Sequence, residues 1–287
     1  GDCMEHGDTW VNIRKTILEK EDSYFMSINR YRKYCAAALL VLAITHIQTA
    51  CADNEPAATP YRPSVSSPAN LPEPGWLDVE MGWQRTKGGS DKYRDSFPVA
   101  AKLAFNKDWG IVVNSELGVR RTDLDNMQFS GVGDTTFQVK HRIPTADETT
   151  AWGISAGFKS PTANDTIGTG KTDYLLTGIY SRDFSDNHLD ANLGANHIGG
   201  TTSEESRTQY TWAASLSHNL TEQWGVLGEL SGNYRRGTAT TSQFLTGATY
   251  NYNKRVVLDF GAAWGLATAA QDWQLFAGMT ILLGQLW

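Results

Sequence analysis

The chain has 287 residues, 40% hydrophobic and 20% charged, with a formal net charge of −6 and a mean hydropathy of −0.38. That average excludes a bundle of membrane helices, each of which needs an apolar run of about 20 residues, and the acidic balance argues against a nucleic-acid partner. The 27 glycines beside 10 Trp, 11 Tyr and 10 Phe point to strands and turns rather than to disorder.

Residues 1–25 are charged and are expected to be an over-extended N-terminus. Residues 26–52 have the three parts of an export signal peptide: Arg30, Arg32 and Lys33, an apolar run from Ala36 to Ile47, and the small residues Ala50 and Ala52 around Cys51. Cleavage is expected before Asp53. A lipoprotein signal at Cys51 is the weaker reading, because Gln48 stands where an aliphatic residue is expected. All three cysteines (Cys3, Cys35, Cys51) precede that cleavage, so no disulfide or thiolate ligand is expected in the mature chain. Residues 53–75 contain six of the nine prolines and read as an extended Pro-rich periplasmic linker.

From Trp76 the pattern alternates with period two. Leu77, Val79, Met81 and Trp83 interleave with Asp78, Glu80, Gly82 and Gln84. Phe137, Val139 and Ile143 interleave with Gln138, Lys140 and Arg142. One face is apolar and the other polar or glycine. This predicts about twelve strands, at 76–86, 96–105, 109–121, 132–143, 150–161, 172–183, 188–199, 208–220, 224–236, 242–252, 255–266 and 272–287. Soluble strands average about 5–6 residues, whereas a tilted membrane strand needs about 9–11. Connections alternate between short turns and longer polar loops, the latter at 87–95, 122–131, 162–171 and 200–207. Trp109, Trp152 and Trp224 open strands that leave the short turns, where an aromatic girdle belongs. The expected fold is all-β: an antiparallel transmembrane β-barrel over 76–287, with about 12 strands and periplasmic termini, in the outer membrane of a Gram-negative bacterium. A soluble β-sandwich is the competing reading, and strand length disfavours it.

Charges on the polar face are expected to line the lumen, since each would cost about 2–4 kcal/mol against mid-membrane lipid. They are Asp78, Glu80, Lys102, Glu116, Arg120, Asp134, Lys140, Arg142, Lys159, Asp173, Asp190, Glu229, Arg235 and Asp259. An ion-pair network filling the barrel and a charged pore wall both remain open readings. No catalytic residue, metal or cofactor is expected. Ile167 to Thr172 fails the P-loop pattern, because Asp165 stands where its first glycine belongs. His141, His188, His197 and His218 lack metal-ligand spacing. His218 beside Ser215 and Ser217 is the one local candidate for a lipid hydrolase.

Four Gly-rich segments resemble a known family: Gly131 to Asp134 with Lys140-His141-Arg142, Gly157 to Thr162, Gly168 to Tyr174, and Leu189 to Gly200. They are similar to the outer-membrane proteins named for the meta-pathway of phenol degradation, over about 76–287. The resemblance implies a porin-like channel or transporter for passive passage of small solutes, aromatic or apolar compounds among them. It also implies that the outer-membrane assembly machinery recognises the terminal Trp287. Outer-membrane lipid, a small-molecule solute and that machinery are the expected partners. The alternatives are a plugged structural or interaction barrel and the lipid hydrolase.

Overall fold

A computed structural model describes residues 56–287. The expected over-extended N-terminus and signal peptide lie outside the described residues. Thirteen strands follow in order: β1 (Trp76–Gly88), β2 (Asp91–Ala104), β3 (Trp109–Thr122), β4 (Gln128–Gly131), β5 (Thr135–Pro144), β6 (Thr150–Ser160), β7 (Asp173–Phe184), β8 (Asn187–His197), β9 (Thr208–Asn219), β10 (Trp224–Arg235), β11 (Thr241–Asn253), β12 (Val256–Gly265) and β13 (Gln271–Gln285). Consecutive strands pair antiparallel, except that β4 and β5 both pair with β3, and β1 pairs with both β2 and β13. β4 and β5 lie end to end along β3 and act as one wall strand. The result is a closed twelve-strand antiparallel barrel. Closure removes every sheet edge, which a strand facing lipid requires because its backbone groups find no water.

Burial along the strands is inverted relative to a soluble protein. On β6, Trp152 and Ile154 are exposed at 52% and 46%, while Ser155, next after Ile154, is 7% exposed. Aromatic pairs ring both ends of the outer wall. Trp109 stacks on His141 at 4.1 Å, and Trp152 meets Tyr180 at 4.7 Å and Trp224 meets Tyr250 at 4.8 Å, all at the short-turn rim. At the opposite rim Phe137 stacks on Phe158 and Phe244 on Trp264. Trp224 and Tyr234 bracket ten residue steps of β10. At about 3.3 Å per residue and about 40° of tilt, that spans a band about 25 Å tall, the height of an outer-membrane apolar belt.

Two expected loops are shorter than the sequence implied. β1 and β2 pair up to Gly88 and Asp91, so 87–95 is a tight hairpin. Gly88 and Gly89 both have positive φ, which lets the strands run on to a narrow turn. The expected loop 122–131 also folds back, with Thr122 opposite Gln128. Asp123 Oδ1 accepts from the amides of Asp125 and Met127 there, and Asn126 takes the left-handed conformation. The largest correction concerns the Pro-rich segment. Residues 58–71, read as a linker beyond the barrel, contact the lumen wall instead.

Candidate functional site

The Pro-rich segment cannot form a ladder or a helix, so its backbone donors and acceptors need side-chain partners. The inner wall supplies them on strand after strand. The segment meets the short-turn rim where the Ala58 amide donates to Lys254 O. The Thr59 amide donates to Asp78 and the Tyr61 amide to Glu80. Arg62 reaches across to Asp259 on β12, with Nη2 3.1 Å from Oδ1. At the innermost point Glu229 of β10 accepts from the amides of Val65 and Ser66 at 2.9 Å, and from the hydroxyls of Ser64 and Ser66. Asn192 of β8 brackets Ser67, accepting from its amide and donating to its carbonyl. The Ala69 amide donates to Ser181 of β7. The segment rejoins the wall at Gly75, whose amide donates to Ala104 O and whose carbonyl accepts from the Leu286 amide.

Buried charge explains why this segment sits here. Lys102 is fully buried between Asp78, at 3.2 Å, and Glu80, at 2.6 Å, and also donates to Thr59 O. Lys140 is buried too, donating to Ser67 Oγ and to the carbonyls of Pro68 and Asn70. Both ammonium groups lie over the Tyr61 ring, at 4.2 and 4.0 Å from its centre. Glu229 receives only neutral donors from the segment, but several of them, which is how a buried carboxylate is satisfied without a cation. Arg62 lies across the facing glycine pair Gly82 and Gly278. A methyl group at Gly278 would come within 2.7 Å of Arg62 Nε, so that position has no room for a side chain.

The expected lumen charges fall into two tiers. Asp78, Glu80, Lys102, Lys140, Asp190, Glu229 and Asp259 form the tier that holds the segment, and Arg142 joins it through Asn70 Oδ1 at 3.3 Å. Asp190 accepts from Ser181 and from His188 Nε2, whose other ring nitrogen meets Asp183. Near the long-loop rim Glu116 pairs with Arg94, Lys159 bridges Asp134 at 3.2 Å and Asp173 at 2.8 Å, and Arg235 pairs with Glu205. Arg120 differs from expectation: it is exposed and shares its row with Asp95 and Arg85. Three steps of β3, Glu116 to Val119, lie opposite two of β2, Pro98 to Ser96. This bulge flips the alternation, turning Val119 inward beside the fully buried Ser96 and Arg120 outward.

Sequence reasoning missed Tyr61, Arg62, Ser64, Ser66 and Asn70. One signal was available. Glu229 and Asp259 have no basic residue opposite them on the neighbouring strands, so a partner had to come from elsewhere. The lipid-hydrolase candidate does not assemble. His218 Nδ1 lies 3.1 Å from Asn187 Oδ1, whereas buried Ser215 accepts from Ser66 and Ser217 turns to His188 O. The Gly168 to Thr172 stretch lies in the loop between β6 and β7.

Above the segment the lumen opens into a cavity of about 700 Å³, bordered below by Arg62 and Ser64 to Ser67 and walled mainly by β2, β3 and β5 to β11, with Glu80 of β1 and Gln271 of β13. On the β10–β13 side an apolar cluster of Leu227, Leu245, Ala263 and Phe276 fills the interior. The space is therefore off-centre.

The fold is similar to solved outer-membrane barrels. A COG4313 outer membrane channel from Pseudomonas putida F1 matches with a TM-score of 0.57 and 14% identity, covering 81% of this chain and 99% of that one. The NanC porin matches with a TM-score of 0.50 and 9% identity, covering 71% and 98%. No curated protein matches the chain. Residues 75–283, nearly the whole barrel, match the family model described as "Putative MetA-pathway of phenol degradation", and the chain belongs to that family.

Proposed function

We propose that this protein is an outer-membrane channel through which small solutes pass passively, and that residues 58–71 occlude its lumen at the short-turn end. The observation that carries this reading is the cavity of about 700 Å³ inside a lipid-facing barrel, closed below by a segment that makes no strand pairing of its own before Pro74. The short-turn rim, with the segment and Trp287, faces the periplasm, and the long loops 161–172 and 198–207 face outward. The channels and porins of similar fold support this reading, as does the family's association with phenol degradation. Trp287 remains the contact proposed for the assembly machinery.

Planar-bilayer recording of the purified protein tests the function. Small or rare current steps from the full chain, enlarged when residues 56–70 are deleted, are the expected result. A folded barrel that stays silent in both forms overturns the channel and leaves the plugged structural barrel, which the same occluding segment also suits.

Passage of apolar solutes calls for a second route, through the wall. One seam favours it: the β1–β2 ladder lapses at Gly82 and Trp83, opposite Phe97 and Pro98, where proline has no amide to donate. A disulfide locking β1 to β2 beside this seam is expected to lower uptake of apolar solutes, and unchanged uptake rejects the route.

A further inference from the structure

Between the two charged tiers the cavity wall is neutral, and its polar groups form two ladders. On one side Asn114 of β3 donates to Gln138 of β5 at 3.2 Å, and Gln138 donates to Ser155 of β6 at 3.2 Å. On the other, Gln271 donates to Gln243 of β11, Gln243 donates to Ser231 of β10 at 3.2 Å, and Asn233 donates to Thr241 at 2.6 Å. β5 and β11 are six strands apart around a twelve-strand wall, so the ladders stand on opposite sides of the cavity.

A primary amide has two N–H donors and an oxygen with two lone pairs. Among the described residues Asn114 uses one donor and Gln138 one donor and one lone pair within their ladder. The remaining hydrogen-bonding capacity faces the cavity from both walls. The charges bordering the cavity all have partners: Arg62 pairs with Asp259, Glu116 with Arg94, Asp134 with Lys159 and Glu80 with Lys102, while Lys140 donates to carbonyls and Glu229 accepts from the segment. An ion entering between the tiers meets neutral amides and hydroxyls, with the charges of Lys140 and Glu229 covered by the segment's hydrogen bonds, and a hydrocarbon would strip water from amides it cannot replace. Val65 at the segment's tip, 57% exposed, adds a small apolar surface to the same space.

We infer that the cavity is a binding compartment for an uncharged solute rich in hydroxyl groups, a neutral sugar or polyol, gripped between the Asn114–Gln138–Ser155 and Ser231–Gln243–Gln271 ladders. This rests on the channel reading and assigns its solute class. The volume lies within the range of small-molecule sites, about 300–1,000 Å³. Such a solute offers donors and acceptors to both ladders and its C–H faces to Val65.

Titration calorimetry of the full protein in an amine-oxide detergent, which carries no sugar, tests the inference. The probes are D-glucose and myo-inositol, with glucuronate, glucosamine and toluene as comparisons. Neutral probes are expected to bind with a roughly millimolar Kd, weakened about tenfold by Gln138→Leu combined with Gln243→Leu. Heat-modifiable gel mobility reports that the variants fold. Ser155→Ala with Ser231→Ala, which adds no bulk, is expected to weaken binding likewise and serves if the leucine variants do not assemble. Preferred binding of toluene or of either charged sugar, unchanged affinity in the variants, or no binding at all overturns the inference. Sugar flux through the segment-deleted barrel without this binding overturns it while sparing the channel. Binding without flux or current in that barrel does the reverse.

Discussion

Arg62 and Asp259 stand 197 positions apart in the chain and meet at 3.1 Å inside the barrel. Asp259 is almost fully buried, so its charge depends on this partner. Removing one member of a buried pair costs about 3–5 kcal/mol, whereas replacing both with apolar residues is often neutral. Arg62→Ala is therefore expected to lower the temperature at which the barrel loses its heat-modifiable gel mobility. Arg62→Met with Asp259→Leu is expected to recover most of that loss. Equal melting of the single variant and the wild type would show that the pair carries no stability.

Glu229 anchors the innermost turn of the segment through backbone and hydroxyl donors of residues 64–66. Hydrogen bonds to a charged group are worth about 1.5–3 kcal/mol each, and about 1.4 kcal/mol is a factor of ten in an equilibrium. Glu229→Ala is thus expected to raise the open fraction about tenfold or more, read as longer or more frequent current steps in a planar bilayer. Identical single-channel records for variant and wild type would refute the anchoring role.

Neighbouring residues on β6 make opposite predictions. Ile154 faces outward in the middle of the apolar band, and Ser155 faces the cavity. Ile154→Arg is expected to cost about 2–4 kcal/mol of folding stability in lipid. Ser155→Arg places its charge in the aqueous lumen, so it is expected to cost far less and to change ion selectivity instead. Reversible unfolding in lipid vesicles measures the first and reversal potentials the second.

The turn between β5 and β6 offers a pH test. Asp147 accepts from the hydroxyl and amide of Thr149 and from the Thr150 hydroxyl, which hold its carboxyl below the usual aspartate range. A depressed carboxyl stabilises the fold above its unfolded value, and that contribution is lost as pH falls through the lower folded value. Carbon-detected NMR is expected to find Asp147 ionised at a pH where an unperturbed aspartate is half protonated. Thr149→Val is expected to raise its titration point.

Much of the wall was legible because its cause is local. The alternation of Trp152, Ile154 and Phe158 with Gly153, Ser155 and Gly157 states which face meets lipid, and strand length does the rest. Arg120 was misplaced because a one-residue bulge leaves no mark on the hydrophobic pattern, yet it inverts every side chain beyond it until the strand ends. The occluding segment was illegible for another reason. Pro, Ser and Ala composition describes a chain without a ladder of its own, and that holds equally for a tether in water and for a strand of backbone satisfied by a wall. Its partners, Asp259, Glu229, Asn192 and Ser181, lie more than a hundred positions away, beyond any window of periodicity.

The junction at Gly75 has a kinetic consequence. The occluding residues are covalently continuous with β1, so a segment that leaves the lumen stays tethered to the wall at Gly75. Its effective concentration there is on the order of millimolar, as for a short flexible tether. Closing is therefore unimolecular. The dwell times of the open state should not change with the amount of protein in the membrane, and a free peptide of the same sequence would compete only at comparable concentration.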